Sequence, residues 1–509
     1  MKKILLIPML LAAFMVKAQQ SNTLLTPDFW KTTPDVATVK TEIAKGNSPT
    51  QFNPATFDAA VLAINNDAPN ATIKYLIEQP GNSVKKLTHD GRIYLHWAAS
   101  RGNLELVQYL LAKGSDITLE DSHGSTPVVF AANAGQANTA IYDAFIKAGL
   151  DIKKKYADGA NLLLLAIAND KDLKLTNYFI SKGLSLKDVD SKGNTAFNYA
   201  AKSATVAQLK ALIQKGVKYN DNALLFAAQG SRRGANTLDV FQYLADELKL
   251  KPTVADKNGE NVLHALARRP NQSETVKYFL AKGVDVNKAN TEGNNAFMYA
   301  AAGKDAALLE LLLPKVKNIN AVNTKGESAL TAAVKTSTPE VVSLLLKNGA
   351  DVNIKDKDGN NVAYYLVQAY NPQAGRGPGG PTASIAGGAG NAQPDEFGAK
   401  IKLLQEKGLN LAAPQKDGST LYHVAVTKNN VGLLKRLEPL NIDVNAKNKE
   451  GVTALHKAAM LSKDDAVLKY LLSVGAKKDL TTGFDETAYS LAKENELLTK
   501  KNVSLDFLK

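Results

Sequence analysis

The 509-residue chain contains no cysteine. That absence excludes disulfides, thiolate metal sites and an acyl anchor on a cysteine at a cleavage point, and it makes an oxidising compartment harmless to the fold. Histidine is sparse at six residues, methionine at five and tryptophan at two. No Gly-x-Ser-x-Gly elbow, His-Glu-x-x-His pair or P-loop phrase occurs, and the Gly-rich stretch before Pro394 lacks the Lys-Ser/Thr that would hold phosphate and magnesium. Most acids, among them Asp158, Asp256, Asp356 and Asp417, stand beside turn glycines, where they can satisfy local backbone donors. No pair of them reads as general acid and base, so no catalytic, cofactor-binding or metal-ligating residue is assigned and no cofactor is expected.

Long apolar runs are also missing. The stretch Ile4 to Val16, broken only by Pro8, is too short to span a bilayer. Lys2-Lys3 precede it, and Val16-Lys17-Ala18 come before Gln19-Gln20. This is the pattern of a secretory signal peptide, residues 1–18, cut after Ala18; an uncleaved anchor or buried helix is the alternative. The Met-Lys-Lys start with a Gln-Gln mature end resembles signal peptides of the Bacteroidota, and no transmembrane segment is expected after cleavage. The expected location is the periplasm, with secretion as the alternative, because Leu491 to Lys509 reads as a capping helix and not as a β-rich sorting domain.

The formal charge is +13 and falls to +10 without Lys2, Lys3 and Lys17. A basic balance permits attraction to anionic partners. The lysines are nevertheless interleaved with acids, as in Lys355-Asp356-Lys357-Asp358, and no aromatic-studded basic run points to nucleic acid.

What the chain does have is a beat of glycines. Thirty-three residues separate Gly91 from Gly124, Gly293 from Gly326, Gly326 from Gly359 and Gly418 from Gly451. Further turn glycines fall at Gly159, Gly193 and Gly259, each in a turn that calls for positive φ. Around them a phrase recurs, His89-Asp90-Gly91-Arg92-Ile93-Tyr94-Leu95-His96-Trp97-Ala98-Ala99 in one copy and Lys449-Glu450-Gly451-Val452-Thr453-Ala454-Leu455-His456-Lys457-Ala458-Ala459 in another. A second landmark stays in phase with it: Leu110-Leu111-Ala112-Lys113-Gly114-Ser115-Asp116, Leu345-Leu346-Lys347-Asn348-Gly349-Ala350-Asp351, and Leu471-Leu472-Ser473-Val474-Gly475-Ala476. A fixed period of this length is the signature of a solenoid.

On these two landmarks the chain resembles the ankyrin-repeat family from about Phe52 to the C-terminus. The resemblance implies an all-α solenoid of about twelve helix-turn-helix repeats with short β-turn or hairpin fingers, and spacings of roughly 8 to 10 Å per helix predict a rod on the order of 100 to 120 Å. The expected organisation is a leader or cap at 19–51 with a short helix over Val36 to Lys45, repeats at 52–370, a flexible Gly/Pro-rich insertion at 371–396, and repeats with a capping helix at 397–509. Leu104, Val107, Leu110 and Leu111, and likewise Val341, Leu344, Leu345 and Leu346, recur at helical spacing as inter-repeat core. Paired alanines, including Ala98-Ala99, Ala332-Ala333 and Ala458-Ala459, keep the first helix slim; Ala332→Phe is expected to overpack, at roughly 1 to 3 kcal/mol.

Three places break the period. Near Val217 to Asn222 a finger is shortened, Gln229 to Gly234 forms a compensating bulge, and between Gly359 and Gly418 one period gains 26 residues in a loop joining the two helices of one repeat. That loop reads either as a tolerated surface insertion or as a grip on a partner.

His96, His264, His423 and His456 all stand five residues after a turn glycine, a slot where the family's histidines brace a neighbouring turn. His89 and His123 read as exposed. In the family the turn tips and first-helix face form the recognition surface. The candidate partner-binding residues are therefore Arg92, His123, Tyr156, Lys192, Lys257, Glu292, Lys325, Lys357, Lys416 and Lys449. The expected function is a monomeric, non-catalytic scaffold that binds another protein, with electrostatic docking to an anionic envelope polymer or membrane surface as the alternative.

Overall fold

A computed structural model describes residues 22–231, 234–371 and 395–509. The expected signal segment 1–18, Arg232-Arg233 and the insertion apart from its ends lie outside them. Among the described residues there are twenty-eight short α-helices and no strand. The class is therefore the expected all-α one, and β character is confined to isolated bridges, four of which close fingers: Val189 with Thr195, Ala255 with Asn261, Val322 with Ser328, and Thr481 with Thr487. None of these helices is long and apolar enough to cross a membrane.

The chain divides into two compact units, 1–200 and 201–509. In the first, five helix pairs precede the single helix Ala196–Ala200; in the second, Val206–Gln214 is followed by eight pairs. Within each unit first helices pack on first helices, as Tyr94–Arg101 does on Pro127–Asn133 and Ala296–Ala302 on Ala329–Thr336. Second helices likewise follow one another, Ala306–Leu312, Pro339–Lys347 and Glu396–Glu406 among them.

The pairs outnumber the expected twelve because both ends are built as repeats. Pro27–Lys31 and Val36–Ala44, the second of them the short helix expected over Val36 to Lys45, form the first pair where a leader or cap was expected. Trp30 is fully buried and its indole N–H donates to the Leu24 carbonyl at 2.9 Å. At the other end the cap is not one helix from Leu491 to Lys509. Ala488–Glu494 stops at Asn495, whose amide donates to the carbonyls of Ala459 and Ser462, and Glu496–Lys500 follows.

Two packing expectations change. Val341 and Leu345 are fully buried, but Leu344 is half-exposed on the outer side of its helix. Ala332 falls one residue short of the buried slot, which Ala333 and Val334 occupy, so it faces a surface groove and leaves room for a larger side chain. The shortened finger is as expected: Asn222–Gln229 begins five residues after Val217.

Outer faces are held by a staple that single-repeat periodicity does not reveal. Tyr109 donates its hydroxyl proton to Glu78, Tyr178 to Asp143, Tyr278 to Asp246 and Tyr470 to Glu438, at 2.8 to 3.2 Å, in each case across to the preceding second helix. Lys182 and Lys282, one turn on, pair with the same acids at 2.7 and 2.5 Å and lie over the tyrosine rings.

The turn glycines carry two constraints at once. Gly326 has φ +83°, and a Cβ there would approach the Asp356 Cα and Lys357 N of the next finger at 2.9 Å. Gly349, which ends a helix at φ +89°, has nothing within 4 Å. Gly349→Ala should therefore cost only the left-handed penalty of about 1 to 2 kcal/mol, while Gly326→Ala adds a backbone clash and should cost at least about 3 kcal/mol. Urea unfolding of the two variants checks the difference; equal costs would mean that the fingers do not stack closely.

The slot histidines are buried braces, as expected. In helix Ala454–Leu461 the backbone N–H of Thr453 donates to His456 Nδ1 at 3.1 Å, and His456 Nε2 meets the Leu480 carbonyl of the next repeat at 2.9 Å. His423 repeats this with Thr420 and Val452, and His264 with Asn261 and Asn294. His96 meets the Ser125 carbonyl, but Ile93 stands where the capping residue belongs, and its Nδ1 is buried without a partner. Burial holds all four rings below the ordinary histidine range. The unfolded chain, titrating near 6.5, thus takes up protons before the native one, so stability is complete above about pH 7 and falls as pH drops below 6.5, by up to about 1.4 kcal/mol per pH unit for each histidine. In urea unfolding between pH 8 and 5, His423→Gln with His456→Gln should lower stability at pH 8 and flatten the slope; an unchanged slope would contradict this origin.

Candidate functional site

Most fingers are built by their own side chain three residues before the glycine. Asp121 Oδ1 accepts from the N–H groups of His123 and Ser125, Asn290 from Glu292 and Asn294, Asn323 from Lys325 and Glu327, and Asn448 from Glu450 and Val452, all at 2.9 to 3.0 Å. Thr88 and Tyr156 replace this acceptor in two fingers, where Asp90 and Asp158 adopt φ +57°, and in a third Gln415 turns its Oε1 to the Asn361 N–H at 2.9 Å. Short acceptors bend the finger locally; backbone bonds then join finger to finger, from Thr324 N to Glu292 O at 2.8 Å and from Lys357 N to Lys325 O at 2.9 Å.

That framework presents eight of the ten expected tip residues to solvent: His123, Lys192, Lys257, Glu292, Lys325, Lys357, Lys416 and Lys449. Two differ. Tyr156 is half-buried, and burial pushes its hydroxyl pKa up to about 12. Arg92 is only 2 % exposed. Its guanidinium lies over Trp97 and Phe130, at 5.1 and 4.3 Å from the ring centroids, and Nε donates to Asp121 at 2.8 Å. The position after the glycine points back along the first helix, so a long cation there is drawn onto aromatic faces and away from water. His89 is likewise half-buried, against Phe57, with Nδ1 2.8 Å from the Ala55 carbonyl.

Periodicity reasoning missed the sixth residue after each glycine, which faces the fingers from the first helix. Trp97, Phe130, Tyr199, Tyr299 and Tyr365 occupy it in five copies and Leu165, Val424 and Lys457 in three, while Ala265 and Ala332 leave it small. The signal was present as aromatics at one phase of the repeat, hidden beside the recurring alanines. In the second unit Tyr299 and Tyr365 flank Ala332 in sequence register, and the result is a groove of about 480 Å³ lined by Glu292, Asn294, Met298, Tyr299, Glu327 and Ala332, with Lys325 at its edge. Two expected tip residues, Glu292 and Lys325, are thereby brought together.

The groove's walls are electrostatically fixed. Arg268 lies 3.6 Å from the Tyr299 centroid and is ion-paired to Glu260, which also accepts from Asn290 and Tyr299 at 3.0 and 3.2 Å. The Arg268 hydrogen bonds hold the Glu260 carboxyl down at about 2. One repeat on, Lys335 pairs with Glu327 at 3.3 Å and lies over Tyr365, whose hydroxyl donates to Asp356 at 2.5 Å. Such side chains have lost their freedom before any partner arrives, which is how a binding surface limits its entropic cost. Among the described residues no group of three or more His, Asp or Glu is placed to hold a metal ion.

Comparison with known proteins agrees with this architecture. The family model for ankyrin repeats (3 copies) matches residues 59–155, 224–322, 263–356, 297–373 and 395–482. A palmitoyltransferase of Lachancea kluyveri is 28% identical over 242 residues, covering 45% of this chain and 27% of that protein. The probable 26S proteasome regulatory subunit p28 of Saccharomyces cerevisiae is 26% identical over 149 residues, covering 28% of this chain and 64% of its own. The chain thus spans only about a quarter of the palmitoyltransferase's length. The crystal structure of the ankyrin repeat domain of Bcl-3 aligns with a TM-score of 0.35 at 19% identity, over 48% of this chain and all of that one. With the family model covering more than half of its residues and every matched stretch built from finger, first helix and second helix, the chain belongs to the ankyrin-repeat family.

Proposed function

We propose that the chain is an exported, non-catalytic scaffold that binds another protein through its finger tips and first-helix face, anchored in the groove between Tyr299 and Ala332. The observation that carries this reading is that groove: a small residue in a slot flanked in sequence by tyrosines, with walls already locked by Arg268, Glu260, Lys335 and Glu327. Interfaces concentrate their energy in such preformed central pockets. Export, with the periplasm as destination, rests on the pattern of residues 1–18, and the mature protein is taken as a monomer.

Docking to an anionic envelope polymer or membrane surface is the rival reading, favoured by the exposed lysines at six tips. Acids beside them, such as Asp358, Asp417 and Glu450, weaken it, and Lys192 is already paired with Asp158 at 2.6 Å.

Ala332→Trp should fill the groove and leave the thermal midpoint unchanged, because this position is not core. With a photocrosslinker at Lys325, it should reduce capture of a specific envelope protein by at least about tenfold, equivalent to about 1.4 kcal/mol. Surface docking would instead leave capture insensitive to Ala332→Trp and abolish it in high salt, where exposed charges are screened within a few ångströms. Periplasmic fractionation with N-terminal sequencing should find a chain beginning at Gln19; an intact Met1 in the cytoplasm would rule out export.

A further inference from the structure

On the outer side of the second unit, away from the fingers, a second groove of about 550 Å³ crosses three successive second helices: Ala306–Leu312, Pro339–Lys347 and Glu396–Glu406. Its floor is apolar, with Ala306, Pro339, Leu344, Ala399 and Leu403. The cause lies in one slot. Five residues before the glycine that ends the second helix, Tyr109, Tyr178, Tyr278 and Tyr470 reach across the outer face to an acid; Leu344 and Leu403 occupy the same slot before Gly349 and Gly408. Leucine neither reaches that far nor carries a hydroxyl, so the face between these helices stays uncovered and both leucines are half-exposed.

The charges around the floor differ from those elsewhere on this side. Lys182 and Lys282 are committed to Asp143 and Asp246. At the groove Lys402 has its own partner, Glu406, at 3.9 Å, whereas the exposed carboxylates of Glu310 and Glu340 and the exposed ammonium of Lys347 take part in no ion pair among the described residues. Glu310 and Glu340 stand on neighbouring helices, and with Lys347 counted against them the groove keeps one acid in excess on an otherwise basic molecule. An apolar trough between parallel helices suits another helix, whose side chains at i, i+4 and i+7 enter it.

We infer that this outer groove is a docking site for an amphipathic helix of a partner protein, with leucine-like residues on its apolar stripe and lysine or arginine beside the stripe to meet Glu310 and Glu340. The site is separate from the finger-side groove and stands or falls independently of it.

The test uses the full chain and a fluorescein-labelled helical peptide of about 18 residues, with leucines at helical spacing flanked by lysines, against a counterpart flanked by glutamates. By fluorescence anisotropy the lysine peptide should bind saturably and at least about tenfold more tightly than the glutamate peptide. Leu344→Tyr with Leu403→Tyr restores the residue that fills this slot in four other repeats, so the thermal midpoint should hold while peptide affinity falls at least about tenfold. Glu310→Gln with Glu340→Gln should weaken the lysine peptide and leave the glutamate peptide unaffected, whereas Ala332→Trp should change neither. Absence of saturable binding, equal affinity for the two peptides, or indifference to the tyrosine pair would overturn the inference. So would self-association in sedimentation that the tyrosine pair removes, since the occupant would then be a second copy of the chain.

Discussion

The architecture depends on one backbone contact, the hydrogen bond that joins a finger tip to the next at most junctions between successive fingers. Thr324 N to Glu292 O, Lys357 N to Lys325 O and Lys449 N to Asp417 O are the same bond made again and again. At Gly159, Gly293, Gly326, Gly418 and Gly451 it requires the glycine to hold a left-handed φ and to carry no Cβ, because the neighbouring finger passes within about 3 Å of where that atom would sit. Once that spacing is fixed, every side chain meets its counterpart about one period away. A repeat stack holds together through such nearest-neighbour contacts.

Three side-chain layers hang on this spacing. Beneath the fingers, histidines tie the start of one first helix to a carbonyl of the next repeat. Between the helices lies the apolar core of Val341, Leu345 and their equivalents. Outside, tyrosines reach back to the preceding acid. Slots with no duty in these layers are available for recognition, and this explains why the tips vary in charge while the residue that bends each finger stays a short acceptor in most copies.

Much of this was legible in the sequence. The glycine phase fixed the turns, and all ten turn glycines have φ between +71° and +84°; the histidine slot announced its bracing role; the missing residues near Val217 removed a finger. What escaped notice involves partners about one period apart. That Arg92 is buried follows from Trp97 and Phe130 standing in the same slot of successive repeats, and a window centred on one repeat shows only a charged residue beside a glycine. Ala332 was misplaced for a related reason: an alanine pair one residue out of phase looks like its equivalents until it is counted from Gly326. Leu344 belongs to an apolar run at helical spacing, and only the tyrosines of other repeats show that its slot faces outward.

Both grooves of the second unit share a physical origin, which is subtraction. Near the fingers, Ala332 occupies a slot that Tyr299 and Tyr365 fill on either side; on the outer face, Leu344 and Leu403 take the place of a stapling tyrosine. Removing a ring from a solenoid surface leaves the backbone bonds intact, since those are made at the glycines and not at these slots. The loss is limited to a partly exposed staple, which is worth little. A compact core would lose several kcal/mol to a comparable deletion. The same independence that lets the stack lengthen by whole repeats therefore lets it open a site by changing one side chain, at positions where the period holds and not only where it breaks.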